Sequence, residues 1–503
     1  MRDELKVGWA GLRADRVRGW RRSQHRKLVN VFTNSENPRR IRNMSIIESS
    51  QKRPRILVVG GGYVGLYVAM KLQKKVKDHG GIVTVVDPNP YMTYQPFLPE
   101  VAGGQIEPRH VVVSHRAHLK HSELVNGRVL SIDHAAKKAV VAPVSGEEFE
   151  LEYTDIVMSA GAITRTFPIP GLGDAGIGLK TIEEAVALRN QVAERIESAS
   201  NMTDPVARKR ALTFVVVGGG FAGIETIAEL EDMARHLIKL NDRIDEKEAR
   251  FVLVEAMGRI MPEVTEEQAL WVVDHLRSRG IEVLLNTSLA DATDGVLQLI
   301  NMADKSPAGT FGSDTLIWCA GVMANPMVRS TDFPIEQRGR IETRTDLRIK
   351  DENGNPLEGA WAAGDISAVK DVTGGLPDGT CVPNAQHAVR QAKLLAKNLY
   401  ALRYGVGTVK EYKHKNLGAV AGFGRNKGVA KVLGLKLKGW PAWMAHRGYH
   451  GMAMPTFERK FRVVGDWMVA WFFSRDALQL NNLETPRAAF EESAKPKKAP
   501  AAK

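Results

Sequence analysis

One signature limits the fold more than any other: RILVVGGGYVG, Arg55–Gly65, whose pattern the chain carries twice. Ile56–Val59 is a short apolar run rich in Val and Ile, the composition of a strand buried on both faces of a parallel sheet. It leads directly into Gly60-x-Gly62-x-x-Gly65, and Leu66–Val76 then has helical spacing. The glycines therefore sit on a strand-to-helix turn, where bare backbone N–H groups and the helix N-terminus can receive a pyrophosphate. Ile82–Val86 reads as the second strand and ends at Asp87, about 20 residues past the last glycine, where an acid accepts from a ribose hydroxyl. The unit then recurs: strand Thr213–Val217, Gly218-x-Gly220-x-x-Gly223, and strand Phe251–Val254 ending at Glu255. A single glycine pattern of this kind matches many ordinary turns, but two complete copies are not explained that way.

Further strands end alike. Ile156–Met158 leads into Ser159-Ala160-Gly161, and Leu316–Cys319 into Ala320-Gly321, small residues that let a bound cofactor approach the chain. Residues 181–330, which contain the second of these strands, form an insert: a polar lead-in at Asp204–Arg210, a helix at Trp271–Arg279 and a strand at Ile281–Leu285. From about residue 331 the chain returns to the first domain, where Ala360–Ala363 reads as a strand ending in Gly364-Asp365. That acid is placed to hold a ribityl or pyrophosphate hydroxyl. Asn384–Tyr400 has the composition of a helix, and Pro88–Gly104 reads as a loop packed on a ligand. The expected fold is α/β, with two nested Rossmann-like dinucleotide-binding domains and a C-terminal amphipathic membrane-associating region. The expected division is a basic extension over 1–52, a first nucleotide domain over 53–180 and 331–409, a second over 181–330, the membrane-associating region over 410–480, and a disordered tail over 481–503.

The charge is concentrated at the ends. Of the net +13, residues 1–43 carry 12 Lys/Arg against 4 Asp/Glu, and residues 410–480 carry 13 against 4, so the middle of the chain is mildly acidic. Basic ends point to an anionic partner. No apolar run follows the first charges, so they do not read as a secretory signal. Translation from Met1 or from Met44 is left open. In the C-terminal region, Val463, Val464, Trp467, Met468, Trp471 and Phe472 fall on one helical side, flanked by Arg459, Lys460, Arg462 and Arg475. Aromatic residues with basic flanks suit an anionic phospholipid surface, and no motif supports nucleic acid. A core-packed helix or a homodimer face is the alternative. The two cysteines, Cys319 and Cys381, make no disulfide framework, and the 13 histidines show no metal-ligand spacing, His446 and His450 included.

Six segments carry a resemblance to a family: GGGYVG at 60–65, TYQPFLPEVAGG at 93–104, GGGFAGIE at 218–225, WCAGVMANP at 318–326, WAAGDIS at 361–367 and NAQHAVRQ at 384–391. Over about 54–475 the chain resembles the type II, non-proton-pumping NADH:quinone oxidoreductases of the two-dinucleotide-binding-domain flavoproteins. The resemblance implies FAD held by Gly60, Gly62, Gly65, Asp87, Ala160, Gly161 and Asp365. It implies NADH held by Gly218, Gly220, Gly223, Glu255 and Gly321. It places a membrane quinone at Gln386, Arg390 and Gln391, with Glu225 serving the quinone side. Many family members carry Gln where Arg390 stands. A carboxylate at Glu255 accepts from a 2′-hydroxyl and repels a 2′-phosphate, so NADH is expected over NADPH. The implied location is peripheral, on the cytoplasmic face of the plasma membrane. Two readings compete. A sulfide:quinone or other FAD-dependent oxidoreductase of the same fold would need redox cysteines, and Cys319 and Cys381 are the candidates. A non-enzymatic flavin-bound protein would use its basic ends to bind nucleic acid or membrane.

Overall fold

The computed structural model describes residues 53–494 except 374, 415–417, 433, 477 and 481–484. The basic extension with Met44 therefore lies outside the described residues, as does 495–503.

Strand β1 (Arg55–Val59), with every residue buried, runs through the middle of the first sheet. Helix α1 (Tyr63–Asp78) returns the chain to β2 (Ile82–Asp87), which pairs parallel to β1. β3 (Glu123–Asp133) is parallel to β2, and β4 (Lys138–Pro143) and β5 (Phe149–Glu152) extend the sheet as an antiparallel meander. β6 (Asp155–Met158) pairs parallel on the other side of β1.

Helix α2 (Ile182–Ala199) starts at a Thr181–Glu184 capping box. The second sheet then repeats the first: β7 (Thr213–Val217), helix α3 (Phe221–Lys239), β8 (Arg250–Val254), helix α4 (Glu266–Ser278), β9 (Ile281–Leu284) and β10 (Thr315–Trp318). Its order is β10-β7-β8-β9, all parallel, with the two-residue strand Gly176–Ile177 outside β10. β11 (Arg348–Lys350) and β12 (Pro356–Ala362) rejoin the first sheet, β12 parallel to β6, giving the order β11-β12-β6-β1-β2-β3-β4-β5.

Helix α5 (Ala385–Tyr404) packs on α1. A three-stranded antiparallel sheet follows: β13 (Gly418–Gly422), β14 (Gly428–Val432) and β15 (Leu435–Lys438). Helices α6 (Trp440–Ala453) and α7 (Phe457–Phe473) complete the C-terminal region, α6 lying on this small sheet. Among the described residues no helix is long and apolar enough to cross a membrane.

Four local expectations are corrected. Pro88–Gly104 is not a plain loop: it holds the strand Tyr91–Thr93 and the helix Leu98–Ala102, where Pro99 sits in the first turn and costs no intrahelical hydrogen bond. The polar lead-in at Asp204–Arg210 is the helix Pro205–Ala211, capped by the Asp204 carboxylate, which accepts from Val206 N and Ala207 N. Inside the segment expected to be a disordered tail, the Ala- and Glu-rich residues Ala488–Ala494 form a helix.

The fourth concerns α7, whose apolar residues do not share one face. Val463 is buried and Trp467 packs on the core, whereas Val464, Met468, Trp471 and Phe472 face out, Phe472 at 78% exposure. Phe457 and Phe461 join this outer face. The helix is apolar on two sides, and only tertiary packing decides which side the core takes.

Candidate functional site

The two glycine turns are built on one plan. Gly60 and Gly218 have φ of +96° and +116°, which side chains rarely adopt. A Cβ on Gly60 would lie 2.7 Å from Ser159 O, and one on Gly218 would lie 2.6 Å from Cys319 O. The chain leaving β6 or β10 thus presses on the turn after β1 or β7. A Cβ on Gly65 would sit 1.9 Å from Gly60 O, and one on Gly223 would sit 1.8 Å from Gly218 O. Helix and strand can be this close only at glycine.

Each terminal acid braces its own turn. Asp87 Oδ2 accepts from Gly61 N at 2.6 Å and Oδ1 from Asn89 N at 2.7 Å. Glu255 Oε2 accepts from Gly219 N, and Oε1 from Met257 N at 2.7 Å. Burial pushes the Asp87 carboxyl above the usual carboxylate range, against the pull of those two N–H groups. Helices α1 and α3 begin at Gly62 and Gly220 with no capping side chain and no acid in the first turn. Their N-terminal N–H groups are thus left for an anion.

The first turn opens on a cavity of about 1580 Å³. Gly60, Gly62, Asp87, Ala160, Gly161 and Asp365 line it. So do Glu225 of α3, Gly321 after β10, and Gln386 and Arg390 of α5, so parts distant in sequence meet around one space. Gly65, Gly218, Gly220, Gly223, Glu255 and Gln391 do not line it. Gly65 and Gly223 are the packing contacts of their turns. Gln391 is buried beneath the site, where its Oε1 accepts from Gly364 N at 2.7 Å and so fixes the turn that carries Asp365. Burial raises the Asp365 carboxyl, with Lys180 Nζ 4.0 Å away as partial compensation. Arg390 Nη1 donates to Gln386 Oε1 at 3.2 Å and lies 3.1 Å from His414 Nδ1.

Glu225 is not a surface acid. Its Oε1 accepts from Gly422 N at 3.1 Å and lies 3.3 Å from His446 Nε2. His446 Nδ1 is 4.0 Å from Glu100 Oε1 on its other side. Burial opposes a charge on His446, but these carboxylates outweigh it, so its pKa rises above the ordinary imidazole value. Glu100 also accepts from Trp467 Nε1 at 2.8 Å and from Arg447 Nη2 at 3.3 Å. This buried polar network ties α6 and α7 to the nucleotide-binding units. Sequence spacing offered no sign of it, because its members are hundreds of residues apart. His115 carries no spacing signal either: its Nε2 reaches Gly61 O, 54 residues earlier in the chain, at 2.8 Å, and a Cβ on Gly61 would lie 2.4 Å from its ring.

Cys319 and Cys381 are both free. Burial pushes each thiol up to about 12. That shift runs opposite to the lowered pKa of a reactive redox thiol.

Two glycine turns of equal geometry, each set at the carboxyl ends of parallel strands, define a dinucleotide-binding protein with a repeated nucleotide unit. The chain belongs to the pyridine nucleotide-disulphide oxidoreductase family, whose model matches residues 54–392. It is similar to the type II NADH:quinone oxidoreductase Ndh of Mycobacterium tuberculosis, 26% identical over 443 residues, covering 84% of this chain and 89% of that protein. The type II NADH:quinone oxidoreductase of Staphylococcus aureus is 27% identical over 399 residues, covering 78% of this chain and 92% of that one. In fold it matches NDH2 of Plasmodium falciparum, solved in complex with NADH, with TM-score 0.77 and 17% identity over 85% of this chain and 100% of that one.

Proposed function

We propose that this chain is a type II NADH:quinone oxidoreductase, which carries two electrons from NADH through FAD to a membrane quinone without pumping protons. The observation that carries this reading is the single cavity shared by the first glycine turn, Glu225 of the second unit and the start of α5. The residues fit a flavin dinucleotide. Gly62 and Gly161 both line the cavity, and a Cβ added to either would meet no protein atom within 4 Å. The fold thus holds space there for something other than its own side chains.

In this reading the backbone around Gly60 and Gly62 receives the FAD pyrophosphate, and Asp87 and Asp365 hold its hydroxyls. Bound there, flavin supplies a two-electron carrier between donor and acceptor. Gly218 and Gly220 receive the pyrophosphate of NADH, Glu255 its ribose, and Gly321 leaves room for the nicotinamide end. Gln386 and Arg390 border the quinone end. Glu225, paired with His446, lies at the cavity wall, where the pair serves the proton uptake of the reduced quinone. The outer face of α7, with Trp471, Phe472 and the adjoining basic residues, seats the protein on anionic phospholipid, at the cytoplasmic face of the plasma membrane.

The test is the oxidation of NADH by flavin-loaded protein with a soluble quinone as acceptor, and NADPH and sulfide as alternative donors. NADH-dependent quinone reduction with little activity from NADPH is the expected result. Tightly bound flavin with no quinone reduction from NADH refutes the reading, and reduction driven by sulfide redirects it to Cys381. A co-sedimentation assay with phosphatidylglycerol vesicles tests the membrane face, with Trp471→Glu/Phe472→Glu expected to remain in the supernatant.

A further inference from the structure

Three metal-ligand side chains outside the nucleotide sites converge beside the start of α5. The carboxylate of Asp371, the thiol of Cys381 and the imidazole of His387 place one donor atom each within 4.8 Å of one another, and all three side chains are buried. His387 Nε2 and Asp371 Oδ2 are 3.9 Å apart. Sequence spacing concealed the group because the ligands come from two different supports. Asp371 N donates to Gly379 O at 2.9 Å and Cys381 N to Val369 O at 2.8 Å, so a backbone ladder fixes those two. His387 lies in the first turn of α5, where its N–H donates to the capping Asn384 Oδ1 at 2.8 Å.

The surroundings orient the donors toward a common centre. Asp371 Oδ1 is taken by Thr373 N at 2.9 Å and Thr373 Oγ1 at 2.8 Å, which leaves Oδ2 facing His387. His387 Nδ1 is 2.8 Å from Tyr412 Oη. With Nδ1–H donating to that oxygen, Nε2 presents its lone pair on the side of Asp371 and Cys381. A second partner that fixes the imidazole in this way is the usual support of a metal-bound histidine. One sulfur, one nitrogen and one oxygen donor suit a borderline-soft divalent cation, zinc above all. Ligand atoms around tetrahedral zinc lie about 3.5 Å apart, given bonds of about 2.0–2.3 Å. Side-chain rotation covers the remaining gap.

We propose that Asp371, Cys381 and His387 bind a zinc-type divalent cation with a fourth position open to the cavity. Asp371 and His387 both line that cavity, next to Gln386 and Arg390. A cation there stands at the end assigned to the quinone and blocks it. The block rests on the proposed NADH:quinone activity, whereas the binding does not. On binding, Cys381 gives up its proton, so the thiolate and the carboxylate offset the charge of the ion.

The test uses flavin-loaded full chain, freed of metal by chelator and titrated with Co²⁺ and then Zn²⁺. One equivalent of Co²⁺ giving ligand-field bands at wavelengths beyond the flavin absorption, with the intensity of tetrahedral coordination, is expected. One equivalent of Zn²⁺ should bleach them. Cys381→Ser should weaken binding by roughly 100-fold or more, and Tyr412→Phe, which keeps all three donors, by about 10-fold. Retention of flavin confirms that each variant is folded. Absence of stoichiometric Co²⁺ binding, or bands unchanged in Cys381→Ser, overturns the site. In the kinetic arm, Zn²⁺ should suppress quinone reduction and leave the reduction of bound flavin by NADH intact, and inhibition equal in Cys381→Ser overturns the block. If the protein reduces no quinone even without metal, the activity reading has failed, and the Co²⁺ titration still decides the site.

Discussion

The two glycine turns have nearly the same backbone and very different surroundings. Both have a positive-φ first glycine, a last glycine packed onto it, a bracing acid and an uncapped helix. The first is walled in: β12 brings Asp365 beside it, α5 closes the far side, and α3 contributes Glu225. The second is flanked by β10 and the two-residue strand Gly176–Ile177, and its glycines and Glu255 stay outside the cavity. The same turn therefore serves two ends. In the proposed reading, the enclosed turn retains a cofactor through many contacts that cannot all open together, and the less enclosed one exchanges a substrate each turnover.

The largest expected effect comes from the last glycines. Gly65→Ala and Gly223→Ala each drive a methyl into a backbone carbonyl, which cannot move aside, at a cost of about 3 kcal/mol or more. Gly65→Ala should yield protein without flavin absorbance. Gly223→Ala should keep its flavin and raise KM for NADH at least about 10-fold, and loss of flavin from both would erase the distinction. Next is Glu225→Gln, the residue that crosses between units. Stopped-flow reduction of bound flavin by NADH should be unchanged, while quinone turnover falls by about 10–100-fold. A smaller effect is expected for Glu255→Gln. It should weaken the preference for NADH over NADPH by roughly 10-fold, read as the ratio of the two kcat/KM values. The equivalent Asp87→Asn should alter flavin retention and not that ratio.

The smallest effect is on stability. The raised pKa of His446 means that its pairing with Glu225 and Glu100 stabilises the fold fully below the unfolded imidazole value of about 6.5, and is lost as pH rises through the higher folded value. The Tm difference between the parent and His446→Gln should thus be largest in mild acid and shrink on the alkaline side. A difference that grows with pH would mean that His446 is neutral in the folded protein.

The nucleotide units were legible because their determinants are local. Val58, Gly60 and Gly65 lie within one strand and one turn of each other, and the acid that braces them ends the next strand. Helix α5 was legible from its composition, although it runs four residues beyond Tyr400. The small β13–β15 sheet was not, since its strands are short and interleaved with Lys and Gly. The resemblance places Gln391 beside the quinone, but only the packing reveals that this polar residue of the helix turns inward under Gly364.

By itself the sequence determined the parallel strands at the centre of two sheets, their two glycine turns and the acids that end their second strands. A glycine at a positive φ and an apolar strand are demanded by covalent geometry and burial, whatever lies around them. Tertiary structure decided which side of α7 meets the core, that Glu225 lies against His446, and that Asp371, Cys381 and His387 share a centre. These depend on how elements far apart in the chain pack together, and a side chain gains its chemistry from neighbours that its own segment does not encode.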